Sequence, residues 1–284
     1  MVLLRASEWI SVAAFAGFTL LGWRRGLDRI RQAKIAAIAI GAIVITIFSA
    51  LILPRLVSTS AASATRDWIP CLLLLLFYSQ AGQFVTRADR DAETRLERLD
   101  QRWVAPCLVW SASHAIGLWV FTCLELAYFS YYPIIPLAVG ALYWSGEQRH
   151  ADFFWTVVLL AAYASCGMLA FVQTRPPRMI GEKWTAQLPH SKMRAFNLWI
   201  LRHGSVQANT CPSAHVAIAT AFALALLEIG PAWMGLGFLA VAVGIALGAV
   251  SGRYHYGADA ILGFVLAALA LFSSVALAAW GMIS

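Results

Sequence analysis

The sequence predicts an all-α, polytopic membrane helix bundle, and three observations carry that prediction. The 284-residue chain is 61% hydrophobic and only 12% charged, about half the charged fraction usual in a soluble domain. Its mean hydropathy is +0.72. Apolar runs near the roughly 20 residues that cross a bilayer recur from end to end, separated by short polar segments.

Taken in order, about nine transmembrane spans are expected, at 7–23, 35–53, 68–86, 105–127, 133–146, 153–172, 212–229, 232–250 and 258–282. The first stops at Trp23-Arg24-Arg25 with no small-residue cleavage site before it, so it reads as a retained helix and not a signal peptide. The second and third complete an N-terminal three-helix membrane extension, 1–104. The fourth holds His114 and Glu125, and the fifth is short and marked by Pro133 and Pro136. The sixth runs into a polar loop, 173–211, and the last three close a six-helix core, 105–284. Trp23, Trp68, Trp103 and Trp184 fall near span ends, as in an aromatic belt.

Cationic clusters set the expected orientation. Arg24, Arg25, Arg29, Arg31 and Lys34 follow the first span; Arg87, Arg90, Arg95, Arg98 and Arg102 follow the third. Putting both in the cytoplasm places the N-terminus outside, the C-terminus inside and the loop 173–211 outside. That loop's own Arg175, Arg178, Lys183, Lys192, Arg194 and Arg202 pull the other way. The segment 87–103 alternates acids and bases at helical spacing and reads as a solvated surface helix with no catalytic role.

The net charge of +7 has no basic run interleaved with aromatics outside the membrane, which argues against nucleic acid as a partner. Cys71, Cys107, Cys123, Cys166 and Cys211 show no paired spacing. Neither a disulfide framework nor a metal cluster is expected, and no cofactor.

Three polar elements carry the chemistry. Thr174-Arg175-Pro176-Pro177-Arg178 holds two guanidiniums on a segment stiffened by paired prolines, and arginine's planar fork suits phosphate. Cys211-Pro212-Ser213-Ala214-His215 follows Asn209 and Thr210 at the expected start of the seventh span. Proline suits a first helical turn, Asn or Thr a cap, and the free N–H groups there bind phosphate oxygens. Ser213 adds a hydroxyl, and His215 can protonate a departing alkoxide. In Ser251-Gly252-Arg253-Tyr254-His255-Tyr256-Gly257-Ala258-Asp259, His255 and Asp259 are four apart. A carboxylate there can hold the imidazole Nδ1 proton and leave Nε2 free to attack. Arg253 can close the phosphate cradle. Each element alone also reads as an ordinary capped or charged helix end.

Together and in this order, the Arg-Pro, Pro-Ser-x-His and His-x-x-x-Asp elements resemble those of the type 2 phosphatidic acid phosphatase superfamily. The Arg-Pro-Pro-Arg and Tyr-His-Tyr contexts resemble its inositol-phosphorylceramide synthase branch. The resemblance implies that His255 is a nucleophile that becomes phosphohistidine and Asp259 its partner. It makes His215 the general acid, with Ser213 and Arg175 gripping phosphate and Arg178 and Arg253 helping. The family's glycine before the first histidine is Ala214 here; a lysine and an arginine of its pattern fall at Met168 and Ala249. Arg178 and Arg253 are expected to replace those two charges.

The function implied is metal-independent hydrolysis of a membrane lipid phosphate or diphosphate at the extracytoplasmic face of the cell's inner (plasma) membrane. One alternative is a phosphotransferase passing the group to an alcohol or lipid acceptor. Another is a non-enzymatic lipid transporter or binding protein, for which the ionisable His114 and Glu125 within a span speak. Glu125, beside Tyr128, Tyr131 and Tyr132, reads either as part of headgroup or acceptor recognition or as an interhelical contact.

Overall fold

The computed structural model describes residues 4–104, 117–180 and 188–283. Cys107, His114, Lys183 and Trp184, and the Trp103 side chain, lie outside what it describes. Twelve α-helices make up the described chain, with a single isolated bridge between Thr174 and Asn209. They are α1 (Ala6–Arg24), α2 (Arg29–Leu51), α3 (Leu53–Leu56), α4 (Thr59–Gly82), α5 (Arg90–Trp103), α6 (Gly117–Phe129), α7 (Tyr131–Trp144), α8 (Ala151–Gly167), α9 (Lys192–Gly204), α10 (Ala214–Ile229), α11 (Ala232–Ser251) and α12 (Gly257–Ala279).

The expected all-α polytopic bundle is what the chain forms. α2, α8 with its flanking turns, α11 and α12 are each long and apolar enough to cross a membrane. These long apolar helices mark an integral membrane protein. α8 is apolar on all sides and buried almost throughout, so it forms the axis of the bundle. α1, α2 and α4 share one hydrophobic cluster with it: Phe15, Ala39, Leu73 and Phe77 lie in the same core as Val158 and Phe222.

Polar contacts at the two ends fix the direction of each helix. At one end Asp152 accepts from the Ala6 and Ser7 N–H groups at 3.1 and 2.9 Å, Arg66 pairs with Glu8, and Asp67 takes Arg5 and the Tyr143 hydroxyl. At the other, Arg25 donates to the Ala170 carbonyl, Arg31 to those of Gln83 and Val85, and the Asp89 N–H to that of Gln173. The three motifs lie at this second end, with the segments 24–34 and 87–103.

That arrangement corrects the expected threading. α6, which holds the described part of the fourth expected span (its residues 105–116 lie outside the described ones), and α7, the fifth, do not form a hairpin. They meet at Ser130 with a 56° bend, and α7 carries Tyr143 on to Asp67 at the end of the bundle away from the motifs. Pro133 sits in the first turn of α7, where a missing N–H costs little, so the helix resumes at once in the same general direction. A hairpin would have reversed the chain. Without it, every later described segment changes ends relative to α1, α2 and α4.

The segment 173–211, expected as a loop, contains a one-turn helix at Pro177–Met179 and all of α9, which Ser191 caps by accepting the Arg194 N–H at 3.1 Å. α5 is the surface helix expected, with Asp89 capping it, but its inner face buries Glu93 and Asp100.

Candidate active site

Backbone and side-chain hydrogen bonds draw the three motifs together. The Asn209 N–H donates to the Thr174 carbonyl at 2.7 Å, and the Arg178 N–H to the Arg253 carbonyl at 2.9 Å. The Ser213 N–H donates to the Asp259 carbonyl at 2.9 Å. The Asn209 amide bridges further, donating to Thr174 Oγ1 at 3.0 Å and Asp259 Oδ2 at 2.8 Å.

α10 begins differently from the expectation. Pro212 lies before the helix, joined to Cys211 by a cis bond, and Ser213 is the cap, its Oγ accepting the Val216 N–H at 3.5 Å. Thr210 Oγ1 accepts the Ala214 N–H at 3.0 Å, and Asn209 serves Asp259 rather than this helix. Ser213 is wholly buried. Burial pushes the Cys211 thiol up to about 12, helped by the nearby Asp259, which keeps it protonated and a poor nucleophile.

α12 starts at Gly257, with Asp259 in its first turn accepting the Tyr256 N–H at 3.0 Å. His255 stands just ahead of the cap. Its Nδ1 lies 3.8 Å from Asp259 Oδ2, near enough for an ion pair but longer than a hydrogen bond. His255 Nδ1 and Asp259 Oδ1 are both buried without a hydrogen-bond partner. Catalytic hydrogen bonds are often long without substrate and tighten in its complex.

On its other side, His255 Nε2 faces His215 Nδ1 at 3.2 Å. His215 Nε2 meets the Tyr128 hydroxyl at 3.4 Å, and its ring packs on Tyr131 with centroids 4.2 Å apart. Both histidines line a cavity of about 440 Å³, shared with Tyr128, Tyr254 and Arg178. The Arg178 guanidinium lies 5.8 Å from the Tyr254 ring centre, with no carboxylate paired to it among the described residues. Burial lowers its pKa, partly offset by Tyr128 and Tyr254, yet an arginine so placed stays cationic at neutral pH.

The other two arginines point elsewhere. Arg175 pairs with Glu93, and Arg253 with Asp100 at 2.8 Å. Asp100 also accepts the Gly257 N–H at 2.8 Å. The two guanidiniums thus hold α5 against the motifs, while Arg178 alone of the three lines the histidine cavity. Glu93 and Asp100 are seven residues apart, two turns along one helical face, a spacing visible in the sequence.

A second buried network braces the site. Glu125 accepts from Arg194 at 3.0 Å, Asn197 at 2.7 Å and the Tyr254 hydroxyl at 2.6 Å. Tyr254 in turn stacks on Tyr128 with centroids 4.2 Å apart. Glu125 is therefore an interhelical contact joining α6, α9 and the last motif. Nothing in the spacing of Arg194 and Asn197 signals this, since their partner lies on another helix.

A family model described as the PAP2 superfamily matches residues 94–273, more than half of the chain. The chain belongs to that superfamily. Its matched region contains all three motifs and the helices from most of α5 to most of α12; α1, α2 and α4 precede it. No curated protein and no solved structure gives a significant match. PAP2 membership supports an activity of the phosphatase or phosphotransferase type on lipid phosphates, in a membrane setting.

Proposed function

We propose that this PAP2 protein hydrolyses a membrane lipid phosphate or diphosphate through a phosphohistidine on His255. The observation that carries the reading is His255 Nε2 facing His215 Nδ1 at 3.2 Å in a cavity that also holds Arg178, with Asp259 behind His255. His255 Nε2 attacks phosphorus, the bond to the lipid oxygen breaks, and His215 gives that oxygen its proton. His215 then takes a proton from water, whose oxygen attacks phosphorus and releases His255 from its P–N bond. Asp259 orients the imidazole and balances the charge it gains. Arg178 stabilises the charge on the equatorial phosphoryl oxygens. The two imidazoles part on binding, because the phosphoryl group has to occupy the space between their facing nitrogens.

Among the described residues, no group of three or more His, Cys, Asp or Glu is arranged to hold a metal ion. The reading assigns the charge stabilisation to Arg178, the guanidinium that lines the cavity with the two histidines. A phosphotransferase is the second reading. The aromatic enclosure of His215 by Tyr131 and Tyr128, at 4.2 and 5.2 Å, favours it, because such a wall suits an organic alcohol as acceptor. It would agree with the likeness to inositol-phosphorylceramide synthases.

The sidedness that charge favours is the reverse of the one expected. Of the 21 Lys and Arg, only Arg5, Arg55, Arg66 and Arg149 lie at the end away from the motifs; every other described one lies at the motif end. Cytoplasmic segments carry the excess of Lys and Arg, so we assign the site to the cytoplasmic side.

Labelled phosphate decides among these readings. Purified protein is given lipid phosphates and diphosphates with and without alcohol acceptors, beside His255→Ala and with a chelator. Free phosphate that survives chelation and vanishes in the variant supports the hydrolase. Label in a new acceptor-dependent lipid supports the transferase. Equal turnover by His255→Ala removes the mechanism.

A further inference from the structure

The cavity at the histidines continues into the membrane, and its far wall comes from outside the family-matched region. Trp68, Cys71, Leu75 and Tyr78 line it from one face of α4, three or four residues apart. At 1.5 Å per residue they mark about 15 Å of depth, about half the roughly 30 Å hydrocarbon thickness of a bilayer. Tyr131, Ile135 and Pro136 of α7 line it from the opposite side. Trp68, Leu75 and Pro136 are exposed on the bundle surface, so the cavity has a lateral mouth between α4 and α7.

Its lining is graded. The polar groups His215, His255 and Arg178 gather at the motif end, whereas Trp68, Cys71 and Leu74 line the part farther along α4 and Leu75 its mouth. A ligand matching that gradient has an anionic head and a long apolar chain. We infer that one hydrocarbon chain of the phosphorylated lipid lies along α4, with its phosphate at His255 and Arg178, and that α4 side chains set which chain lengths are accepted. The inference rests on the lipid-phosphate reading proposed above and adds the part played by the N-terminal helices.

Selection by this wall works through shape. A chain leaving the bilayer for the cavity moves between two apolar surroundings, so burial from water contributes little and packing decides. A bulky residue midway along α4 therefore penalises long chains and spares short ones. Cys71, at the middle of the wall, and Leu75, at the mouth, are the positions to fill. Leu72 is the matched control, exposed on the bundle surface outside the cavity lining.

The test gives the full-length protein in lipid nanodiscs a graded series of monoalkyl phosphates and reads phosphate release. Cys71→Trp and Leu75→Trp are each expected to lower kcat/KM for the longest chains by about tenfold or more relative to the shortest. Leu72→Trp is expected to keep the wild-type profile. Leu75 faces the membrane, so its variant tests the idea even where Cys71→Trp fails to fold. In parallel, an alkyl phosphate with a photoreactive chain terminus is expected to crosslink within 68–78 and to be displaced by its unlabelled counterpart. Turnover with length profiles alike in wild type and both filled variants, or crosslinks that avoid α4, overturns the α4 assignment and leaves the phosphatase reading standing. No turnover at any length, with no displaceable crosslink, overturns both.

Discussion

The Arg175 guanidinium closes a bidentate pair on Glu93, its Nε and Nη2 lying 3.0 and 2.9 Å from the two carboxylate oxygens, while the Arg175 N–H donates to the same group at 2.7 Å. The arginine that the family resemblance assigns to phosphate is thus engaged by a buried carboxylate of α5. Arg178, three residues on, is the one beside the histidines. On the proposed reading, the two residues separate a docking role from a phosphate role.

Arginine substitutions test that separation. Arg178→Ala is expected to lower kcat/KM by about 100-fold or more, the scale of a lost charge-stabilising donor. Arg175→Ala is expected to cost about tenfold at most, and to be matched by Glu93→Gln. Steady-state kinetics on a lipid phosphate reads both; the opposite ranking would return the phosphate role to Arg175.

For the histidine pair, His215→Ala is expected to slow turnover by about 10²–10⁴-fold. Asp259→Asn should also cut turnover, since Asn209 Nδ2 and the Tyr256 N–H both donate to Asp259 Oδ2. Rapid-quench labelling distinguishes the two. His215→Ala should still accumulate acid-labile phosphoprotein from a substrate with a good leaving group, and His255→Ala should form none.

Glu125 makes a stability prediction. It and Arg194 are both buried, and Arg194 also donates to the Gly252 carbonyl at 3.1 Å. Glu125→Gln leaves that guanidinium without its counter-charge, a loss of about 3–5 kcal/mol by the usual cost of breaking a buried pair. Thermal unfolding in detergent checks it. A midpoint like that of the wild type would show that the network contributes little.

Acid should loosen α5. Burial raises the Glu93 carboxyl, but the Arg175 hydrogen bonds and charge outweigh it and hold the group below its ordinary value of 4.5. Its contribution to docking is therefore present above that ordinary value and is lost as pH falls through the depressed one. Burial holds Asp100 above its ordinary value, against the Gly257 N–H and Arg253, so its protonation works against that loss and the acid effect rests on Glu93. Hydrogen exchange in 90–103, taken relative to the intrinsic amide rate at each pH, is expected to stay slow at neutral pH and speed up in acid. In Glu93→Gln it should already be faster at neutral pH.

Single cysteines settle the sidedness. In an active protein without native cysteines, Gln101→Cys at the motif end should resist a membrane-impermeant maleimide on intact cells, and Ser60→Cys at the far end should react. The reverse pattern would put the site outside.

The motifs holding His215, His255 and Asp259 were legible as family marks because each joins a chemically distinctive residue set to the edge of an apolar run, and such local patterns survive folding. The membrane class was equally plain, since apolar length is counted along the chain. The bend at Ser130 was not: an apolar run broken by tyrosines and prolines has the same composition whether the chain turns back or continues. That one local angle moved the site to the cationic end of the bundle.

By itself, then, the sequence determined the all-α membrane bundle and the family and supplied the histidine–aspartate set on which the proposed chemistry rests, all encoded in composition and short spacing. Only the tertiary structure decided that Arg175 and Arg253 hold Glu93 and Asp100, that Arg178 reaches the cavity, and that α4 walls it. Those relationships join residues far apart in sequence. They depend on which helix faces which, a matter of side-chain packing that no local pattern records.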